Sequence, residues 1–271
     1  MPILNPEDYI EPACPLGKPA PDAHGGGGLD VPAIIAELDA LLESGREERA
    51  AGLLEENLAA ARKISDWQSE ISILSEQTGL LRRTKDKRAL TAANAALGLL
   101  YAHHMETSVS GATVMLNAAT TLSAFGQSEK ALPIFKAVMR AYGESLDPAD
   151  YRFAGLYNNM ALTLSALGDY GAAESFFARA ASILKICPSP ENELAVTECN
   201  LARLYYAQNP EDPRCDACME RAWDYLNSES LPRDGYYAFT ASKCAPDFDF
   251  FGFFLYSAQL KKRVGEIYER S

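Results

Sequence analysis

Three sets of residues in this chain have types and spacings that could do chemistry. The first is a pair of thiols, Cys215 and Cys218, in "CDAC". A Cys-x-x-Cys pair serves redox exchange when it sits where a strand runs into a helix, and serves zinc when two more ligands join it. No strand pattern lies nearby. Cys199 and Cys244 are candidates that only folding could bring close, so the plainer reading is a pair of small packing residues on a helix. The second is His103 and His104 in "YAHHMET". Adjacent residues on a helix point about 100° apart and do not converge on one metal. Near a helix end they serve instead as partners for free carbonyls. The third set is made of amides. Asn117, Asn159 and Asn200 each stand two residues before a small residue, Ala119, Ala161 and Ala202. An amide offers a donor and an acceptor together, which is what the backbone of an extended peptide presents. No Gly-rich phosphate loop, paired catalytic carboxylates or nucleophile elbow is evident; the "GGGG" run lacks the Lys and Ser or Thr that should follow it. We therefore expect no catalytic residues, no metal and no cofactor.

Composition narrows the partners. The chain has 271 residues, 48% hydrophobic and 23% charged, with a formal net charge of −12. This excess of acid disfavours nucleic acid, whose phosphates need clustered Lys and Arg, and an anionic membrane surface. No apolar run approaches the ~20 residues of a membrane span. "MPILNPEDYIEP" has neither the basic start nor the apolar stretch of a secretory signal. Six cysteines spread over a core-rich chain do not form a disulfide framework. The expected location is cytoplasmic.

The amides recur because the chain recurs. Ala161, Gly168 and Phe177 are spaced like Ala119, Gly126 and Phe135, at an offset of 42 residues. Ala202 opens another copy, and weaker copies begin with Leu38, Gly45 and Leu54 and with Thr78, Lys85 and Asn94. Each copy reads as helix, tight turn and helix. Tyr157, Met160, Ala161 and Leu164 give the apolar stripe of the first helix. Gly126 or Gly168 ends it as a left-handed cap, and Ser128 or Asp169 opens the next helix. The spacing predicts helix pairs over 31–44 with 47–64, 66–84 with 87–104, 108–125 with 128–145, 149–167 with 170–186, and 191–208 with 212–227. One such pair cannot bury its apolar face, but stacked pairs can.

This pattern resembles the tetratricopeptide repeat: a small residue within the first helix, a Gly-Asp-Tyr-like turn, then Ala, an aromatic and Ala on the second. The likeness is clearest in copies three and four and covers about three quarters of the chain. The usual period is 34 residues; here it is 41 to 42, so each helix is longer by about one turn. Long repeats of this kind occur in kinesin light chains, LGN-type polarity adaptors and bacterial peptide-sensing regulators, and "LYNNMALTLSALGDYGAAESFF" is most similar to the kinesin light chain version. The resemblance implies an all-α, right-handed superhelical solenoid of about five helix pairs with a C-terminal capping helix. Residues 1–30 form a Pro/Gly-rich extension, 31–232 the helix pairs and 233–271 an aromatic-rich cap. The extension is either draped on the surface or docked in the protein's own groove. Pro246 and Asp247 mark a helix start, and the helix runs to about Arg270.

The resemblance also implies a function: a non-enzymatic scaffold or sensor that holds an extended protein segment in its concave groove. In related long-repeat families, asparagines of the first helix bind the peptide, and this carries over to Asn117, Asn159 and Asn200. They are expected to be partly exposed, in a row spaced by about one repeat, roughly 10 Å. Repeat geometry places Asn158, Thr120, Leu162, Arg203 and Tyr206 on the same face, with Arg82 and Arg83 at the matching place in copy two. The arginines would favour an acidic ligand. Two alternatives come from other classes. One is self-association, as a homodimer, through the nine aromatics between Tyr236 and Tyr256, more than one helix face can bury. The other is a metal- or thiol-dependent enzyme built on the histidines and cysteines.

Overall fold

The structure is a computed structural model and describes residues 28–270. The expected N-terminal extension lies almost wholly outside the described residues. Among these the chain is entirely helical, with no strand. Helices α1 (Val31–Glu43), α2 (Glu47–Lys63), α3 (Trp67–Arg83), α4 (Arg88–Ala102), α5 (Val109–Ala124) and α6 (Ser128–Ser145) precede residue 148. Helices α7 (Arg152–Ala166), α8 (Tyr170–Leu184), α9 (Glu191–Gln208), α10 (Arg214–Leu226), α11 (Gly235–Phe250) and α12 (Phe254–Tyr268) follow it. The chain divides between residues 148 and 149 into two compact units.

Turn chemistry explains why these helices stop where they do. Gly45, Gly126, Gly168 and Gly252 follow α1, α5, α7 and α11 with φ between 68° and 85°, the left-handed cap that glycine adopts without a Cβ clash. Asp169 caps α8 by accepting a hydrogen bond from the Ala172 amide, and Asp66, Ser108 and Asp234 do the same for α3, α5 and α11. Ser128 does not play the part expected of it. It lies inside α6, and its hydroxyl is 3.0 Å from that of Ser123, across the turn.

In the first unit each first helix packs on its second: α1 on α2, α3 on α4, α5 on α6. The pairs then stack in sequence order through α1, α3 and α5. In the second unit α7 packs on α8, α9 on α10 and α11 on α12, with α9 touching both α7 and α11. The small residues that set the repeat are at the tightest places. Ala119, Ala161, Ala173, Ala180 and Ala202 are each 0% exposed. Gly111 on α5 allows another close approach, since a Cβ there would fall 2.0 Å from the Met105 carbonyl oxygen.

The C-terminal segment differs from the single helix expected. Pro246 and Asp247 lie within α11, and Gly252 turns the chain into α12, so the segment is itself a helix pair. A proline this far along a helix leaves one carbonyl without its amide; the apolar packing of α11 outweighs that loss. Tyr237 and Phe248 are fully buried, and Trp223 of α10 stacks on Tyr256 at 4.1 Å between ring centroids. Phe251, Phe253 and Tyr256 pack against this core from its edge. Tyr236, Phe250 and Phe254 stay largely in solvent. The aromatics thus divide between a buried cap and an exposed patch.

Candidate functional site

The buried polar side chains are distributed unevenly. Ser69, Ser72, Ser75, Thr78 and Arg82 are on α3; Thr113, Asn117, Thr120, Thr121 and Ser123 on α5; Asn158, Asn159 and Thr163 on α7; Asn192, Thr197 and Asn200 on α9; Thr240 and Asp247 on α11. All of these helices are first helices of their pairs. Among the described residues the second helices bury Ala, Leu, Phe, Ile, Val, Met and Cys, with Tyr142 of α6, whose hydroxyl meets that of Thr113 at 2.7 Å, and Ser128 and Ser257 in first turns. Helices α3, α5, α7, α9 and α11 therefore carry a polar seam that their partners lack, whereas α1 buries only leucines among its described side chains.

In the first unit the seam is anchored by Asn117. Its Nδ2 donates to the Ser75 main-chain oxygen at 2.7 Å and to the Ser75 hydroxyl at 3.1 Å. Its Oδ1 accepts from Arg82 Nη1 at 2.7 Å, and the same nitrogen donates to Thr121 Oγ1 at 2.7 Å. Ser75 and Asn117 are 42 residues apart, one period of the sequence. Thr120 turns its hydroxyl back to the Leu116 carbonyl within α5. Arg83 reaches Glu47 of α2 at 2.8 Å.

In the second unit Asn158 is the hub. Its Oδ1 accepts from Asn200 Nδ2 at 3.4 Å, again one period away, and from Thr197 Oγ1 at 3.5 Å. Its Nδ2 lies 3.5 Å from Asn159 Oδ1. Arg203 Nε donates to Asp247 of α11, a pair in which both side chains are mostly buried. Tyr206 meets Phe250 and Phe251 edge-on, at 5.0 and 5.8 Å.

These placements correct the sequence reading in two respects. Asn117, Asn159 and Asn200 are not partly exposed: they are 8%, 0% and 3% exposed. The spacing that puts one amide per repeat also puts it within reach of the neighbouring repeat, where a buried amide must find partners. Asn158, Thr120, Leu162 and Arg82 are buried as well. Nor do the arginines stand as cations awaiting an acidic ligand. Arg82 holds Asn117 and Thr121, Arg83 holds Glu47, and Arg203 holds Asp247. Of the residues named on this face, Arg83, Arg203 and Tyr206 are half-buried, and the two arginines are already paired.

Some participants went unseen in the sequence. Asp247 read as a helix start, yet it is the buried partner of Arg203. Its signal was a carboxylate between apolar residues in "APDFDFF", where an unpaired charge could not be buried. Tyr205 also escaped notice. Its hydroxyl donates to Glu174 Oε1 at 3.0 Å, and the Arg214 guanidinium lies 3.8 Å from its ring centroid. Burial, aided by the bond to Glu174, pushes this phenol up to about 12.

The thiols and histidines do not assemble a reactive centre. Cys215 and Cys218 lie on α10 in the core, where burial pushes the Cys218 thiol up to about 12. A hydrogen bond with Cys244 and burial hold the Cys199 thiol well above its usual range. His103 ends α4 and stacks on Trp67 at 3.8 Å and 6°. Among the described residues, no three His, Cys, Asp or Glu side chains are grouped so as to hold a metal ion.

A family model described as the tetratricopeptide repeat matches residues 153–186, which are α7 and α8 with their turn. That helix pair is similar to a tetratricopeptide repeat. One solved structure supports the same fold, and a second shows a weaker likeness. A Podosopora anserina putative kinesin light chain with nearly identical TPR-like repeats shares 17% identity and a TM-score of 0.55, covering 71% of this chain and 93% of that one. BtubC (BKLC) from P. vanneervenii shares 16% identity and a TM-score of 0.44, over 88% of this chain and 91% of that one. No curated protein sequence matches significantly. Among its described residues the chain is thus all-α, built of stacked helix pairs of TPR-like fold. Among its described residues no helix is long and apolar enough to cross a membrane.

Proposed function

We propose that this protein is a non-enzymatic scaffold that holds an extended segment of a partner protein along its first helices. The observation that carries this reading is the polar seam. Hydrogen-bonding side chains are concentrated on α3, α5, α7, α9 and α11 and nearly absent from their partners. A core alone does not need them, since buried polar groups cost free energy unless fully paired. These groups are paired with one another, so the seam holds neighbouring first helices in register and leaves the residues beside it to a partner. The amides act here as spacers that fix the distance between neighbouring first helices, and half-exposed residues beside them, Tyr206 above all, meet the partner. The described cysteines are all free thiols, which supports a reducing, cytoplasmic setting.

The test is site-specific cross-linking. A photoreactive residue placed at Tyr206 on α9 should capture one partner polypeptide, and the adduct should map to a short linear segment of it. The same residue placed at exposed Glu220 on α10 should capture much less. Equal capture at both positions would remove the case for a first-helix groove.

A second reading, self-association through the C-terminal aromatics, is favoured by one observation. Phe254 is 67% and Leu255 79% exposed, beside Phe250 at the turn between α11 and α12. Adjacent large apolar side chains in solvent mark an interface.

A further inference from the structure

On α8, Ser175, Ala178, Arg179 and Ser182 recur at i, i+3, i+4 and i+7 and form one exposed stripe. With Tyr157 of α7 and Ile183 they line a pocket of about 430 Å³. The Arg179 guanidinium carbon lies 5.9 Å from the Tyr157 ring centroid and 5.5 Å from that of Phe176. Phe153, Tyr157 and Phe176 touch in turn, with centroids 5.6 Å apart in each pair. Such contacts engage the face of a guanidinium and leave its in-plane N–H bonds for acceptors.

Other arginines of the same unit are already engaged. Arg152 pairs with Asp150, Arg203 with Asp247, Arg214 with Asp212 and Arg221 with Glu198. Arg179, among the described residues, has no ion pair and no hydrogen bond, and no acidic side chain lines the pocket. The Tyr157 and Ser175 hydroxyls likewise have no hydrogen-bond partner there. Ser182 donates to the Ala178 carbonyl at 2.9 Å. A fork of donors and two hydroxyls therefore converge over the apolar surface of Ala178, Ile183 and the aromatic rings.

We infer that this pocket binds a carboxylate carried on an apolar stem. A guanidinium pairs with a carboxylate through two parallel N–H bonds, the geometry that a planar acid satisfies best. The Ser175 or Tyr157 hydroxyl supplies a further donor. The apolar wall takes the side chain next to the acid and removes it from water. A peptide C-terminus ending in an aliphatic residue has this chemistry, and so does a small aliphatic acid. The site lies on a second helix, and it stands whether or not the first-helix groove holds a partner.

The experiment titrates the full chain with N-acetylleucine, with its neutral amide, and with acetyl-Ala-Ala-Leu bearing a free C-terminus. The Arg179 Nε–H and Tyr157 ring signals are followed by NMR. N-acetylleucine should shift both saturably at millimolar concentration, and the amide should bind at least ~10-fold more weakly. Arg179→Gln should weaken the acid by a similar factor, and Arg179→Lys, which keeps charge but loses the fork, by less. Circular dichroism should show both variants folded, because Arg179 is exposed. If the tripeptide binds more tightly than N-acetylleucine, the ligand is a peptide terminus; if it binds equally or less tightly, the ligand is a small acid. The inference is overturned if the amide binds as well as the acid, if Arg179→Gln changes nothing, or if no saturable shift occurs.

Discussion

The side-chain amide of Asn117 donates to the main-chain oxygen of Ser75, 2.7 Å away and one period back in the sequence. That bond ties α5 to α3 at equivalent heights, and the other end of the same amide fixes the buried Arg82. Asn117 is therefore part of what sets the spacing between repeats in the first unit.

Replacing it should lower stability. In Asn117→Ala the Ser75 oxygen and Arg82 both lose a partner in a buried place, at a cost of about 1–3 kcal/mol for each polar group left unpaired. Urea unfolding of the full chain should show an earlier transition, with lower melting temperature and unchanged helical content below it. A variant of unaltered midpoint would show that water replaces the amide at no cost.

The pair of Arg203 and Asp247 makes a different test, because both members can be removed. Breaking one side strands a charge in the core, and Arg203→Leu should cost about 3 kcal/mol, near the lower end of the range for buried pairs since Arg203 keeps some exposure. Adding Asp247→Leu should recover most of that loss, because two apolar side chains of similar size need no partner. Stability that falls further in the double variant would mean that the pair itself, and not the stranded charge, sets the cost.

The helices and their order could be read from sequence because turn residues and apolar spacing act locally. Gly126 and Gly168 end helices by their own backbone freedom, and Asp169 caps the next by its own side chain. The exposure of Asn117, Asn159 and Asn200 could not be read that way. A repeat position says which residues share a face, and the packing of the neighbouring helix decides whether that face meets water. The Arg203–Asp247 pair was hidden for a related reason: its members are 44 residues apart and on helices whose pairing no local signal announces. Pro246 misled because proline usually opens a helix, and here tertiary packing holds it inside one.

Ala161 anchors the repeat alignment and is 0% exposed on α7. Ala161→Leu should force the neighbouring helices apart and cost about 1–3 kcal/mol by overpacking. Ala166 on the same helix is exposed, and Ala166→Leu should leave the midpoint within about 0.5 kcal/mol of the parent. Equal effects at the two positions would contradict the assignment of the small residue to a close crossing.

Tyr205 should make the protein sensitive to alkali. Its phenol is raised to about 12 by burial and by its bond to Glu174, the Arg214 guanidinium over the ring opposing this without overcoming it. The protonated, neutral form is the one the fold favours. The stabilising contribution is therefore full below the ordinary phenol value of about 10 and is lost as pH rises toward 12. Urea midpoints should fall over that window in the parent and fall less in Tyr205→Phe. A parallel decline in both would assign the loss to other groups.

The exposed turn between α11 and α12 yields the last prediction. Phe254 and Leu255 are adjacent, each more than half exposed, and Phe250, at the end of the preceding helix, is also exposed and meets Phe251 and Tyr206 edge-on. Buried against another surface, each such side chain would contribute about 1.5–3 kcal/mol. Left in water they contribute nothing to the fold. If they join two copies of this chain, sedimentation should reveal a concentration-dependent dimer, and Phe254→Ser with Leu255→Ser should shift it to monomer. The melting temperature of the diluted protein should not fall, because neither side chain supports the core. That combination separates an interface from a structural role: a core defect lowers the melting temperature of the monomer, whereas an interface defect changes only the mass. A parent chain that sediments as a monomer at every concentration would leave the self-association reading without support and assign the patch to a different protein.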